Sequence, residues 1–194
     1  VFHLGDTIDY EKLVLELGTS LFVKPSREGS SLGVNKVQKA TEFDKALKIA
    51  FDIDRKILIE KAIQGREIEC SVLGNDDPVA AESLGEIIPQ HDFYSYEAKY
   101  VDNEGADLVI PAQIGEETAQ RIREIAVDAF HCTECRGLAR VDFFLEEDGN
   151  IFINEINTLP GFTSISMYPK LWEASGLPYS KLLERLIDLA LETK

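Results

Sequence analysis

Two acidic side chains and an amide lie close enough in the second half of the sequence to hold a cation together. Asp142 sits in Val141-Asp142-Phe143-Phe144-Leu145, and Glu155 and Asn157 end Ile151-Phe152-Ile153-Asn154-Glu155-Ile156-Asn157. Both runs have strand composition, and Glu146-Glu147-Asp148-Gly149-Asn150 between them reads as a hairpin turn. Antiparallel pairing sets such side chains opposite one another. The period of two aims Glu155 and Asn157 to one face. Two carboxylates and an amide oxygen are hard ligands of the type Mg2+ takes; the solvated face of a hairpin has the same composition. Arg140, two residues before Asp142, falls on the same face, as a simple ion pair or as a clamp on developing negative charge.

Three further segments have chemical potential. In Lys24-Pro25-Ser26-Arg27-Glu28-Gly29-Ser30-Ser31-Leu32-Gly33 a lysine at a strand end precedes a Gly/Ser loop, a combination suited to phosphate or to a plain surface turn. It has neither the P-loop order nor the G-x-G-x-x-G of a dinucleotide fold. Glu60-Lys61-Ala62-Ile63 ends one strand and Glu67 begins the next. Carboxylates there suit ribose hydroxyls and the backbone suits an adenine edge, although charge on an edge strand is common for other reasons. Gly161-Phe162-Thr163-Ser164-Ile165-Ser166 offers an N–H and hydroxyls just past the acidic strand, as an anion pocket or a flexible turn. His131-Cys132-x-x-Cys135 leaves a zinc ion one ligand short of a closed site.

The elements that must position these residues are legible in part. Leu21-Phe22-Val23, Gly33 to Val37, Ile57 to Glu60 and Glu67 to Val72 read as strands, and Thr41 as the N-cap of a helix buried through Phe43, Ala46, Leu47 and Ala50. Asn75-Asp76-Asp77-Pro78 predicts a hairpin turn between Val72-Leu73 and Val79-Ala80, and Gly85 to Ile88 a further strand. Ala119, Ile122, Ala126 and Ala129 stripe a helix from about Glu116 to Phe130, and Leu182, Leu183, Leu186, Leu189 and Ala190 a closing one. The aperiodic stretch Gln90 to Asp107 reads as a long loop with a function. The class is α+β with mostly antiparallel strands, divided as 1–72 and 73–194.

With 194 residues, 20 Lys plus Arg and 35 Asp plus Glu, the chain carries a formal charge of −15. That sign argues against a phosphate-backbone binder, so no nucleic acid is expected as partner, whereas a small anionic ligand needs only a local basic pocket or bound metal ions. No run approaches the ~18 apolar residues of a membrane span. Three sparse cysteines fit a reducing, cytoplasmic setting better than a disulfide framework. The start, Val1-Phe2-His3-Leu4, lacks Met and signal-peptide features and reads as a piece of a longer chain.

Together, the Lys24–Gly33 segment, Tyr96-Glu97-Ala98-Lys99-Tyr100, Gly137-Leu138-Ala139-Arg140-Val141-Asp142 and Asn154-Glu155-Ile156-Asn157-Thr158-Leu159-Pro160-Gly161-Phe162-Thr163 closely resemble the D-alanine–D-alanine ligases of the ATP-grasp superfamily. The resemblance runs from about Leu21 to the C-terminus and matches the central and C-terminal portion of that family. It implies an ATP-grasp fold, two α+β subdomains gripping ATP, and ligation of two D-alanine molecules through an acyl phosphate. By resemblance, Lys24 holds the α/β-phosphates, and Glu60, Glu67 and the backbone of Lys61 and Ile63 bind the nucleoside. Lys99 reaches the γ-phosphate, while Ser30 and Tyr100 orient substrate. Asp142 and Asn157 each hold one of two Mg2+ ions (Mn2+ as substitute) bridged by Glu155. Arg140 and the Gly161 N–H stabilise the tetrahedral oxyanion, and Ser166 with the Met167 backbone binds the second D-alanine. The resemblance further implies a homodimer at full length and a lid formed by Gln90 to Asp107. D-Ala–D-Ser or D-Ala–D-lactate ligation and a non-catalytic ATP-binding module are the competing readings.

Overall fold

The structure, a computed structural model, describes residues 1–29, 31–89, 106–163 and 165–192. Two compact units appear, one built on Val1–Ile63 and the other on Gln64–Ile88 with Asp107–Lys194.

The first unit contains β1 (Phe2–His3), α1 (Tyr10–Leu17), β2 (Leu21–Pro25), β3 (Asn35–Val37), α2 (Ala40–Ile53) and β4 (Lys56–Lys61), with an antiparallel sheet in the order β1-β4-β2-β3. Alternation along β2 buries Leu21, Val23 and Pro25 and turns Phe22 and Lys24 to the other face. The buried set joins Leu13, Val37, Phe43, Ala46, Ala50, Ile57 and Ile59 in one core beneath the two helices. Asp9 caps α1 by accepting from the N–H groups of Glu11 and Lys12. The N-cap of α2 is Lys39, not Thr41. Its first turn is closed instead by the Glu42 carboxylate, which accepts from the N–H groups of Gln38 and Lys39.

The second unit holds β5 (Arg66–Gly74), β6 (Val79–Ala80), β7 (Gly85–Pro89), β8 (Ala106–Val109), α3 (Glu116–Cys132), β9 (Gly137–Leu145), β10 (Ile151–Asn157), α4 (Met167–Ala174) and α5 (Tyr179–Glu192). Its sheet runs β10-β9-β5-β7-β8, with β6 paired to β5. One face, carrying Ile68, Cys70, Val72, Ala139, Val141 and Phe143, packs on Ala119, Ile122, Ala126 and Phe130 of α3. Leu73 and Leu138, of opposite parity, pack with Met167, Tyr168, Leu171 and Trp172 of α4 and Leu182 and Leu189 of α5. Ser71 donates its hydroxyl to Tyr168 O at 3.3 Å and Tyr168 donates to Val72 O at 2.9 Å, fastening α4 to β5.

The boundary therefore falls after Ile63, nine residues before the expected one at Val72. The reason is β5: it pairs along its whole length with β9, from Arg66↔Leu145 to Gly74↔Gly137, and belongs wholly to the second sheet. Gly65 makes the passage possible. A Cβ there would stand 2.8 Å from Leu145 O, so only glycine lets the chain come this close.

Candidate functional site

On β9, Ala139, Val141, Phe143 and Leu145 go to the core, which leaves Arg140 and Asp142 on the opposite face. Strict alternation along β10 from Ile153, the partner of Phe143, would turn Glu155 toward the core side. A β-bulge prevents this: the register passes from Ile153↔Phe143 directly to Glu155↔Asp142, then Ile156↔Val141 and Asn157↔Arg140. The extra residue, Asn154, inverts the parity of everything after it and brings Glu155 and Asn157 to the face of Asp142 and Arg140. The sequence reading placed these four residues together; it did not contain the bulge that does so.

The Arg140 fork holds both oxygens of Asp142, Nε to Oδ1 and Nη2 to Oδ2, each at 2.7 Å. Asn157 Nδ2 donates to Asp142 Oδ2 at 3.0 Å and Glu155 Oε1 at 3.2 Å, bridging the two carboxylates. A half-turn of that amide exchanges its donor for an oxygen ligand, so the donor set of two carboxylates and one amide oxygen fits a hard divalent cation. Among the described residues no group of three or more His, Cys, Asp or Glu is gathered for a metal, so the amide is an essential part of the set. Burial disfavours the charged guanidinium of Arg140, but the hydrogen bond to Asp142 and the charges of Asp142, Glu69 and Glu155 outweigh it and raise its pKa.

The sequence reading missed Glu69. It lies on β5 directly opposite Asp142, is 4 % exposed, and its Oε2 is 3.1 Å from Arg140 Nε. The signal was available: in Glu67-Ile68-Glu69-Cys70-Ser71 both acids share the face of Asp142. Cys70 on the core side is no nucleophile, since burial pushes its thiol up to about 12.

Beyond β10, Ser166 is the N-cap residue of α4. Its Oγ accepts from the Thr163 N–H at 3.0 Å and lies 2.9 Å from Thr163 Oγ1. A Cβ on Gly161 would stand 2.9 Å from the same Oγ, so Gly161 is held against Ser166 in one tight turn. The Met167 side chain is core.

In the first unit Lys24 reaches across to β4, with Nζ 2.8 Å from Glu60 Oε2. Among the described residues the flank of β4 facing β1 is paired at Lys56 and Ile57 alone, while Ala62 N–H donates to Ser20 O at 2.9 Å on the other side. Arg27 anchors the loop after β2 to the end of α2 through Nε–Asp54 Oδ2 at 3.1 Å. The Arg27 guanidinium, with the Lys56 N–H, holds the Asp54 carboxyl well below the usual carboxylate range. Glu67, near the start of β5 as expected, belongs to the second unit, opposite Phe144. Ser30, and Lys99 and Tyr100 with the expected loop from Gln90 to Gly105, lie outside the described residues, whereas Ala106 and Asp107 at the end of that stretch are strand, in β8.

The model of the D-ala D-ala ligase C-terminus matches residues 5–188. The chain belongs to this family. The D-ala D-ala ligase C-terminus is also recognisable in curated relatives: the chain is 57 % identical over 187 residues to the D-alanine–D-alanine ligase of Shouchella clausii (96 % of this chain, 50 % of that protein). It is 55 % identical over 176 residues to D-alanine–D-alanine ligase A of Salmonella typhimurium (91 % and 48 %). Among solved structures, the D-alanine–D-alanine ligase from Coxiella burnetii superposes with a TM-score of 0.83 at 42 % identity, covering 98 % of this chain and 51 % of that one. The VanG D-Ala:D-Ser ligase from Enterococcus faecalis gives 0.81 at 38 % identity, covering 92 % and 52 %. The fold is α+β and of the ATP-grasp type, with largely antiparallel sheets. The chain spans about half the length of the curated relatives it matches.

Proposed function

We propose that this chain forms the ATP-binding and ligating part of an enzyme that joins two D-alanine molecules for cell-wall peptidoglycan, in the cytoplasm. The observation that carries the reading is the single face on which the Asn154 bulge assembles Arg140, Asp142, Glu155 and Asn157. The family membership and the names of its relatives support it.

Amide formation from a carboxylate requires a better leaving group than hydroxide. ATP, as co-substrate, supplies it: a carboxylate oxygen of the first D-alanine takes the γ-phosphoryl group and ADP leaves. The amine of the second then attacks the acyl carbon, loses a proton, and phosphate departs with the C–O bonding pair. Asp142, Glu155 and Asn157 would hold Mg2+, or Mn2+ in its place. A divalent cation there neutralises phosphoryl oxygens that would otherwise repel the incoming carboxylate.

The chain's own residues do the rest. Among the described residues Arg140 Nη1 takes no hydrogen-bond partner, which leaves its N–H groups, on a guanidinium already held by Asp142, for the oxyanion of the tetrahedral intermediate, together with the Gly161 N–H. Ser166 and the Met167 backbone receive the carboxylate of the second substrate. Lys24, steadied by Glu60, meets nucleotide phosphates. Glu60 and Glu67 take polar groups of the nucleoside, and the backbone of Lys61 and Ile63, past the two-residue reach of β1, takes the adenine edge. Lys99 is assigned to the γ-phosphate and Ser30 and Tyr100 to substrate orientation.

The test is D-alanine-dependent ADP release by the full-length protein. Glu155→Gln abolishes turnover across a Mg2+ series, and Arg140→Ala lowers kcat about 10²-fold or more without raising the KM for ATP. Full recovery of either variant at high Mg2+ overturns these roles. ATP binding without D-alanine-dependent ADP release overturns the ligase reading, and faster turnover with D-serine or D-lactate reassigns the second substrate.

A further inference from the structure

Register across the second sheet sets six side chains in two rows. Glu69, Asp142 and Glu155 stand side by side on β5, β9 and β10, and Ser71, Arg140 and Asn157 form the next row. Like charges directly opposite each other on neighbouring strands are unfavourable, and burial makes them more so. Glu69 is nevertheless 4 % exposed and opposite Asp142. Arg140 is one of its partners: Nε lies between the two acids, in an ion pair 3.1 Å from Glu69 Oε2 and hydrogen-bonded to Asp142 Oδ1 at 2.7 Å.

We propose that Glu69 is a positioning residue for Arg140: a buried anion on the neighbouring strand that fixes the guanidinium independently of Asp142. This rests on the ligase reading above. Both oxygens of Asp142 are engaged by the Arg140 fork, and the same two oxygens are wanted by a divalent cation. An arginine anchored by Asp142 alone loses its anchor when those oxygens turn toward the cation. Glu69 is the second anchor, on the strand on the far side of Asp142 from Glu155. The reach is diagonal, because Ser71 stands opposite Arg140 and spends its hydroxyl on Tyr168 O. Such a diagonal needs a long side chain, as glutamate has. A guanidinium held at two points loses less freedom when charge appears on the substrate oxygen, which is the moment at which orientation counts.

The experiment is a double-mutant cycle on the full-length enzyme with Glu69→Gln, which keeps the length and removes the charge. Expected are a kcat lower by about 10- to 100-fold, a KM for ATP within about twofold of wild type, and no further loss of kcat when the change is made in Arg140→Ala. An unchanged kcat, or an equal loss in the Arg140→Ala background, overturns the positioning role. An Arg140→Ala enzyme with full kcat instead overturns the ligase reading of Arg140 and leaves the contact to be judged by spectroscopy. For that, the Arg140 Nε–H resonance of this chain, assigned by its absence in Arg140→Lys, should shift and exchange faster with solvent in Glu69→Gln. An unmoved resonance refutes the contact. If Glu69→Gln does not fold, Glu69→Asp, charged but too short for the diagonal, is expected to give the same kinetic and spectral changes, and wild-type behaviour there overturns the proposal.

Discussion

Removing Arg140 should cost this chain stability before it costs any chemistry. The guanidinium faces three carboxylates, and its ion-pair partners Glu69 and Asp142 have side chains only 6 % and 13 % exposed. Deleting one member of a buried pair typically costs about 3–5 kcal/mol, because the remaining charge is left without compensation. Asp142 keeps the Asn157 amide at 3.0 Å and some contact with water, so the lower end, about 3 kcal/mol, is expected for Arg140→Ala. At roughly 2–8 °C per kcal/mol, the melting temperature of the second unit should fall by at least about 6 °C. Glu69 is the more buried of the two acids that lose this partner, so its charge bears the larger share of the loss. Arg140→Ala/Glu69→Gln should therefore be more stable than Arg140→Ala alone, although it carries one more substitution. Thermal unfolding of wild type, both single variants and the double variant by circular dichroism gives the cycle. A double variant no more stable than Arg140→Ala, or a single-variant loss below about 1 kcal/mol, would refute the reasoning.

Gly85→Ala should destabilise by about 1–3 kcal/mol in urea titration, because its Cβ would overlap Met167 Sδ and Cε and press on Leu171 Cδ2 at 3.2 Å in the core beneath α4. Unchanged stability would mean that Met167 is not held there. Asp54→Asn tests the loop anchor by pH. The Asp54 carboxyl is depressed in the folded state, so it adds stability above its ordinary value of 3.8 that is lost as pH falls through the folded value. The gap in melting temperature between wild type and Asp54→Asn should be full near neutral pH and close in acid, and a gap of the same size at both would disprove the pairing.

Legibility from sequence followed the kind of signal available. Lys24 is aimed away from the core by plain alternation, and such periodicity can be read directly. The membership of β5 could not: Ile57–Glu60 and Glu67–Val72 are separated by a short break ending in Gly65, which looks like a hairpin turn, whereas that glycine permits a close pass over Leu145. The strand's true partner is set by burial of Ile68, Cys70 and Val72 against α3, a contact with no local signature. Helix α4 was hidden for another reason. Pro169 reads as a breaker but sits in the first turn, where no N–H is needed. For α1 the cap at Asp9 was visible, but with Leu13 its only buried residue the apolar stripe was not. At the candidate site the ligand types were readable, whereas the Asn154 bulge and the Glu69 anchor depend on cross-strand register, which appears only when three strands are assembled.

The pairing of β5 with β9 also bears on the order in which the chain acquires structure. The described strands of the first sheet all lie within residues 2–61, and their pairings range from the neighbours β2 and β3 to Phe2↔Ile57. In the second sheet, Arg66 has to find Leu145 and Gly74 has to find Gly137, and every one of those contacts waits for some 60–80 intervening residues to be made and gathered. During synthesis β5 can pair with β6 and β7, which follow it directly, but its other edge stays open until β9 arrives. That interval, more than any weakness of the finished fold, is when this polypeptide is most exposed to aggregation and most in need of a chaperone.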